Sequence, residues 1–438
     1  MALLSLPHEI LQHIAVCVET AYRPSLYAFS LTSKACHEAA VFVVFRQIIV
    51  TAHDREGLRR DVDRLIEALS RTDSLRHIRR ITIKGDLRLS DNNTEGWGRQ
   101  MPTDFDEVLL TEELVSYHDL DAVLPVYDEG FIEKSSEEDM AWAPVVNLLQ
   151  VKLHLEDLVY DCQSQFPPSL LRALREKHPQ CRLHHLTFRF RTLLQGVPNS
   201  YEMELATSPS LYRVMVTFAE LDSNAEHDFN LEAMMELTTG LAPNLKKLLR
   251  SYPLSLRPPR RSWQGLPGFT GGKVGSLISL SLLGISRLES PTVLRNWARH
   301  INFACLQHLT LGGCHGLTAS GLNAETMELV AQNYSFPRVK TLSVYLTRDD
   351  LYQASPHYSE HAVSFLQTFK SLEELSIYGP IDSQILDTVL SHHGQTLKRL
   401  ILHPLESVMN NSIPRDRRNM PFEFTKIMFY RLKLNVRY

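Results

Sequence analysis

The sequence contains no Cys-x-x-Cys pair, and its six cysteines (17, 36, 162, 181, 305 and 314) are scattered over 438 residues. Thiols spread in this way predict reduced, buried cysteines in a cytoplasmic or nuclear protein rather than a disulfide framework. There is no excess of basic charge. A formal net charge of −4 argues against a dedicated nucleic-acid binder, which would concentrate Lys and Arg. Long apolar runs are also missing: the longest, Ala39 to Val50, is broken by Arg46 and Gln47 and is too short to span a bilayer. Residues 1–5 carry no basic stretch, and Pro7 and Glu9 interrupt any apolar core, so no secretory signal is expected. Without such a signal the Asn-x-Ser/Thr triplets at 92, 333 and 410 read as chance.

Catalytic constellations are lacking too. His8-Glu9 is followed by His13, which is not the i+4 spacing of a zinc-binding helix. His184-His185 and His392-His393 are adjacent pairs. Neighbours diverge by about 100° on a helix and point to opposite faces of a strand, so neither pair can hold one metal. No Gly-rich phosphate loop and no Gly-x-Ser-x-Gly elbow occurs. The expectation is therefore a protein without enzyme activity, cofactor or metal, its nineteen histidines being surface or structural residues.

What the chain does have is a recurring strand pattern, apolar-x-x-apolar-x-apolar. It runs Phe45/Ile48/Val50, Ile78/Ile81/Ile83, Leu155/Leu158/Tyr160, Leu183/Leu186/Phe188, Leu211/Val214/Val216, Leu277/Leu280/Leu282, Leu306/Leu309/Leu311, Val339/Leu342/Val344, Leu372/Leu375/Ile377 and Leu397/Leu400/Leu402. Leu245/Leu248 is a further unit, with Arg250 in its third apolar place. At 44% hydrophobic content the pattern should start by chance at about 8% of positions. Spacing is what gives it weight: the middle residues stand 33, 77, 28, 28, 34, 32, 29, 33, 33 and 25 apart.

Between the units lie amphipathic helical stretches. Leu58, Val62, Leu65, Ile66 and Leu69 form one stripe preceded by Asp54, and Ser290-Pro291 leads into Val293, Leu294, Trp297, Ala298 and Ile301. Ser359 is placed to cap Ala362, Val363, Leu366 and Phe369, and Asp382 to cap Ile385, Leu386, Val389 and Leu390. Strand, turn and helix repeating at about 30 residues predict an α/β solenoid. A doubly wound parallel sheet is the alternative; it is disfavoured because polar residues hold the second and fifth places of the pattern.

The N-terminus reads as a helix entry: Leu6-Pro7-His8-Glu9-Ile10-Leu11-Gln12-His13-Ile14, with Pro7 presetting φ and Glu9 placed for the helix dipole. Two more short amphipathic runs follow, Leu26 to Leu31 and Ser33 to Phe45, and three such helices make too small a core to stand alone. Leu6-Pro7-x-Glu9-Ile10-Leu11-x-x-Ile14 and the later Leu31-x-Ser33-Lys34-x-Cys36 resemble an F-box. Leu306-x-x-Leu309-x-Leu311-Gly312-Gly313-Cys314-His315-Gly316-Leu317-Thr318-Ala319-Ser320-Gly321-Leu322 resembles the cysteine-containing leucine-rich repeat, whose thiol lies inside the turn after the strand. The chain departs from that repeat elsewhere, since Ile285, Thr347, Pro380 and Leu405 hold the cysteine place in four neighbouring units.

As a whole the chain resembles fungal-type F-box proteins with divergent leucine-rich repeats. The resemblance implies an F-box over 1–45 and an irregular solenoid over 46–438. It also implies docking on a Skp-type adaptor and through it on a cullin, with Leu6, Pro7, Ile10, Leu11, Ile14 and Leu31 as apolar anchors and Glu9 as the cap. The leading function is then a substrate receptor of a ubiquitin ligase that acts by proximity on an unknown target protein. A protein-interaction scaffold without a role in degradation is the alternative, as is a repeat scaffold whose N-terminal helices only cap the stack.

Three stretches fall outside the repeat. An insertion at about 88–140 holds thirteen Asp or Glu and one basic residue, Lys134, between Asp104 and Asp139. It reads as a solvated loop or as an acidic arm for a basic partner, and Trp142–Leu153 is the expected return helix. Arg257 to Gly272 is a Pro/Gly/Arg-rich loop, either plain or, through Arg260, Arg261 and Trp263, a grip for an acidic or phosphorylated target. The basic C-terminus ends in alternating Leu432 to Tyr438, and whether it caps the stack or stops within a repeat stays open.

Overall fold

Buried leucines, isoleucines and valines at fixed places in each unit organise the chain into strands and covering helices. The computed structural model describes residues 6–88, 132–151, 153–162, 164–193, 197–216, 229–250, 262–283, 291–315, 318–347 and 357–404. The fold is mixed α/β, with thirteen α-helices and eleven strands of the parallel type among the described residues. Contacts divide the chain into two compact units, one holding residues up to 98, 126–192 and 198–214, the other chiefly 215–438. The C-terminal stretch and the central part of the acidic insertion lie outside the described residues.

The first unit begins with α1 (His8–Ala21), α2 (Arg23–Ser30) and α3 (Lys34–Val44). Pro7 is the cap residue of α1 and lies just outside it, while the Ser33 side chain caps α3 by accepting from the Cys36 N–H at 3.1 Å. Strand β1 (Gln47–Asp54) follows, then α4 (Arg55–Arg71), whose first turn is capped by Asp54 accepting from Gly57 N–H at 2.7 Å. Leu58, Val62 and Leu69 of that helix are buried, as its stripe requires. Next come β2 (Arg80–Arg88), α5 (Glu137–Ala141), α6 (Ala143–Gln150), β3 (Asp157–Cys162), α7 (Pro168–Lys177), β4 (Arg182–Phe188), α8 (Ser200–Ala206) and β5 (Leu211–Val216). Strands β1 to β4 pair in parallel and in chain order, and Ile81 stands directly opposite Leu158 across the 77-residue gap.

In the second unit α9 (Asn230–Glu236), β6 (Lys247–Arg250), β7 (Ser279–Leu282), α10 (Pro291–His300) and β8 (His308–Leu311) precede a small hairpin of β9 (Gly313–His315) and β10 (Thr318–Ser320). Then follow α11 (Ala324–Asn333), β11 (Thr341–Tyr345), α12 (Tyr358–Leu366), β12 (Glu374–Gly379), α13 (Ser383–Thr388) and β13 (Arg399–Pro404). The parallel order β6-β7-β8-β11-β12-β13 is again that of the chain, with Leu248, Leu280, Leu309, Leu342, Leu375 and Leu400 in one row. A doubly wound sheet needs a reversal of strand order, and among the described residues neither unit has one.

The middle residue of each of the eleven units lies on a strand, the first apolar residue preceding the strand in all but β4 and β5, but the β4 register differs from the expected one. Leu158 pairs with Leu183, not Leu186, and Tyr160 pairs with His185. The third apolar place of that unit is thus filled by a buried histidine packed edge-on against Tyr160 and Phe188. Other expectations shift as well. The polar places within the strands are not wet: Thr82, His184, Ser281, Thr310, Ser343 and Ser376 are all buried. Ser359 lies inside α12 and donates to the Asp382 carboxylate, which caps α13 at the Ile385 N–H. Of the five described cysteines, all free, Cys17 is exposed; the Cys314 side chain lies outside what is described.

The far end of the acidic insertion belongs to the folded body. Ile132 is buried and donates its N–H to the Gln165 side chain at 2.7 Å. Asp139 is buried and accepts from Ser135 N–H at 3.0 Å and Ser169 N–H at 2.8 Å, so an acidic residue counted towards a solvated loop is a structural fastener. Helix α6 lies within the stretch expected to return to the sheet, with Val145, Leu148 and Leu149 buried.

Two glycines mark where one unit touches the next. At Gly85 (φ +103) a Cβ would lie 2.2 Å from the Ala52 carbonyl oxygen, and at Gly379 (φ +114) 2.1 Å from that of Leu346. Both close approaches are to backbone, which cannot swing away. Gly379→Ala should therefore lower stability by about 2–3 kcal/mol in urea denaturation. A loss below about 0.5 kcal/mol would show that this turn relaxes freely.

Candidate functional site

Three places carry residues singled out by the sequence or by the geometry. The first is the N-terminal three-helix module. Its interior has two parts: Ala15, Leu26, Ala40 and Val43, and Leu11 with Cys36 and Ala39. Leu6 and Phe29 both pack on the second part, which brings the start of α1 and the end of α2 to one end of the module. Leu11 faces this interior and is buried, and Ile14 is half-buried. Pro7 and Glu9 are exposed at the same end, Ile10 is 47% exposed, and Leu31, the last cap of α2, is 85% exposed. Tyr22 and Tyr27 are also exposed aromatics on this module, which the motif positions did not single out. The six apolar positions named from the sequence therefore split between core and surface. The split follows from helix geometry, since consecutive residues such as Ile10 and Leu11 point about 100° apart.

The second place is the loop before β7. Trp263 is half-buried; its indole N–H donates to Glu236 Oε1 at 2.6 Å and its ring stacks on Phe229 at 5.5 Å. The other oxygen of the buried Glu236 accepts from Leu266 N–H at 2.6 Å. The polar handle of this tryptophan is thus spent on holding the loop to α9. Arg260 and Arg261 lie outside the described residues.

The third place was not singled out from the sequence. Strands β2, β3 and β4 begin with Arg80, Asp157 and Arg182, and the register sets these three side by side. The buried Asp157 carboxylate accepts from four donors. Oδ1 takes Arg182 Nε at 2.8 Å and His184 Nε2 at 2.9 Å; Oδ2 takes Arg182 Nη2 and Arg80 Nη2, both at 3.1 Å. Burial alone would raise this carboxyl, but His184, Arg182 and Arg80 outweigh it and hold it well below the usual carboxylate range. Burial lowers the pKa of His184, against the hydrogen bond and charge of Asp157, which raise it. The Arg182 guanidinium also lies over the Tyr212 ring at 5.2 Å. Neighbouring Arg213 is lowered to about 10 by burial and then by the charge of Arg80.

His184 and His185 face opposite sides of β4, as alternation requires. His185 sits among Tyr160, Phe166 and Phe188 on the other face, where burial lowers its pKa to about 3. The second pair, His392 and His393, is engaged by backbone carbonyls, those of Phe369 at 3.2 Å and Leu366 at 3.1 Å. Among the described residues no group of three His, Cys, Asp or Glu is placed to hold a metal ion. No described helix is long and apolar enough to cross a membrane. No protein-family model matches the chain, and no curated protein matches it significantly.

Proposed function

We propose that this chain is a non-catalytic receptor subunit of an SCF-type ubiquitin ligase. On this reading residues 1–45 are an F-box that docks on a Skp-type adaptor, and through it on a cullin. The strand–helix units form a divergent leucine-rich-repeat solenoid that holds a target protein in the cytoplasm or nucleus. The observation that carries the reading is the surface of the three-helix module. Pro7, Ile10 and Leu31 sit at the motif positions and yet stay exposed, at the end where Leu6 and Phe29 converge on Leu11. A module of this size that spends part of its apolar residues on the outside is suited to completion by a partner. The sequential parallel strands at about 30-residue spacing support the repeat half of the reading, because each unit then covers the apolar edge of its neighbour. The protein would supply proximity rather than a reacting group.

Ile10→Asp with Leu31→Asp should abolish co-purification with a Skp-type adaptor, each buried anchor being worth roughly 2 kcal/mol or more. The variant should keep its circular dichroism, because both side chains are exposed in the isolated chain. Retention of adaptor by this double variant would refute the reading. Adaptor and cullin binding without any protein accumulating on deletion of the gene would favour a scaffold with no role in degradation.

A further inference from the structure

Each guanidinium of the Asp157 cluster is held from one side and open on another. Arg182 uses Nε and Nη2 on the carboxylate, and Arg80 uses only Nη2. Arg182 Nη1, Arg80 Nη1 and Arg80 Nε have no hydrogen-bond partner among the described residues. The side chains are 47% and 28% exposed respectively, so these donors reach solvent. A carboxylate has about four lone-pair sites, and four donors already occupy those of Asp157, so the aspartate cannot turn to satisfy the open N–H groups. Burial disfavours the charged form of His184, and neighbouring Glu156 is engaged with Arg79 at 3.4 Å. Two fixed guanidiniums therefore share one carboxylate, which leaves a surplus positive charge on the face of β2–β4. Tyr212 beneath Arg182 fixes that guanidinium further and reduces the entropy lost on binding.

We infer that the Arg80–Arg182 pair, set in place by Asp157, is a docking point for a carboxylate side chain on an acidic extended segment of the protein this chain holds. Charge complementarity chooses the occupant. The surplus is positive, with the buried Arg213 adding to it beside Arg80, and planar guanidinium edges meet carboxylate oxygens in pairs. Exposed Ile49, which follows Gln47 on the same face of β1, gives the segment an apolar neighbour to rest on. The inference rests on the receptor reading for the identity of the partner as a held protein, while the anion site stands on the geometry of this unit.

The test uses the full-length chain and a fluorescein-labelled peptide of alternating Glu and Ser, with the Gln/Ser peptide as its neutral counterpart. Anisotropy should show the acidic peptide binding about tenfold or more tightly than the neutral one, with the preference fading at high salt. Arg182→Gln and Arg80→Gln should each remove most of that preference. Arg182→Lys should keep part of it, because charge remains while the fork is lost. Arg59→Gln, an exposed ion-pair residue of α4, should leave it intact. Equal binding of the two peptides by the unaltered chain overturns the inference with no variant needed, as does an unchanged preference in folded Arg182→Gln. Stronger binding of a phosphoserine peptide than of the acidic one overturns the choice of a carboxylate. Adaptor co-purification on the same samples separates the two claims. Charge-selective binding without adaptor defeats only the receptor reading, and adaptor binding without charge selectivity defeats only this one.

Discussion

Phe336→Ala should destabilise the second unit by about 3–5 kcal/mol, the range for removing a buried aromatic ring from a packed interior. Phe303, Phe336 and Phe369 are spaced 33 residues apart, and each stands three residues before the first apolar residue of its strand unit. Their rings stack, Phe303 on Phe336 at 5.5 Å and Phe336 on Phe369 at 5.0 Å, with interplanar angles of 23° and 19°. Phe369 is further held edge-on by Phe365 at 5.3 Å. Phe336 has a ring on each side, so truncation forfeits two stacking contacts as well as burial, and rigid neighbours cannot close the gap. The stack is finite. Exposed Val274 holds the equivalent place one unit earlier and Gly394 one unit later. The damage should therefore centre on α11, β11 and β12. Amide hydrogen exchange should speed most there and least at β7, because units that contact only their neighbours pass on little of a local loss. A loss under about 1 kcal/mol, or uniform exchange across β7 to β13, would contradict this account.

Strand positions were legible because burial imposes the same apolar spacing on every unit, even where one unit, Leu245/Leu248, is incomplete. Helix starts were legible where a single side chain does the capping, as at Asp54 and Asp382. The β4 register was not legible. A buried His185 occupies an apolar place, and Leu183/Leu186/Phe188 offers a better apolar match three residues along. That slip also hid the charged row. Arg80, Asp157 and Arg182 each directly precede the residue aligned in the sheet, Ile81, Leu158 and Leu183, and they come side by side only in the true register. The phenylalanine stack could have been found from its period of 33 alone. In the N-terminal module the motif positions were visible, but the division between inward Leu11 and outward Ile10 needed helix phase and neighbours. The burial of Ser343 and Ser376 was not readable, because small hydroxyl residues fit equally well on wet and covered strands.

Asp157→Ala should be the most damaging change to the first unit, lowering its stability at neutral pH by about 3–5 kcal/mol. The loss is larger than that of an ordinary surface ion pair because the carboxylate is buried and four donors depend on it. Without it, Arg80 and Arg182 face one another uncompensated beside Arg213, and His184 loses its acceptor in a buried place. Asp157→Asn should be milder, since the amide oxygen keeps part of the acceptor role while the charge is lost. The pH dependence has a definite sign. The folded Asp157 carboxyl is held below its unfolded value, so its contribution is fully present above about pH 4 and is lost as pH falls further. The Asp157 carboxyl by itself therefore narrows the stability gap between the wild-type chain and Asp157→Ala below about pH 4. The lost support of His184, whose pKa Asp157 raises, instead widens the gap through the histidine range. His185 acts over a different window. Its folded pKa of about 3 lies below the ordinary histidine value, so protonation of the unfolded chain draws down stability from about pH 6.5 towards 3 in both proteins alike. Exchange protection of β2 to β4, compared between the two proteins at pH 7 and pH 3.5, reads out both effects. A gap below about 1 kcal/mol at pH 7 would mean that Asp157 is not what holds the two arginines in place.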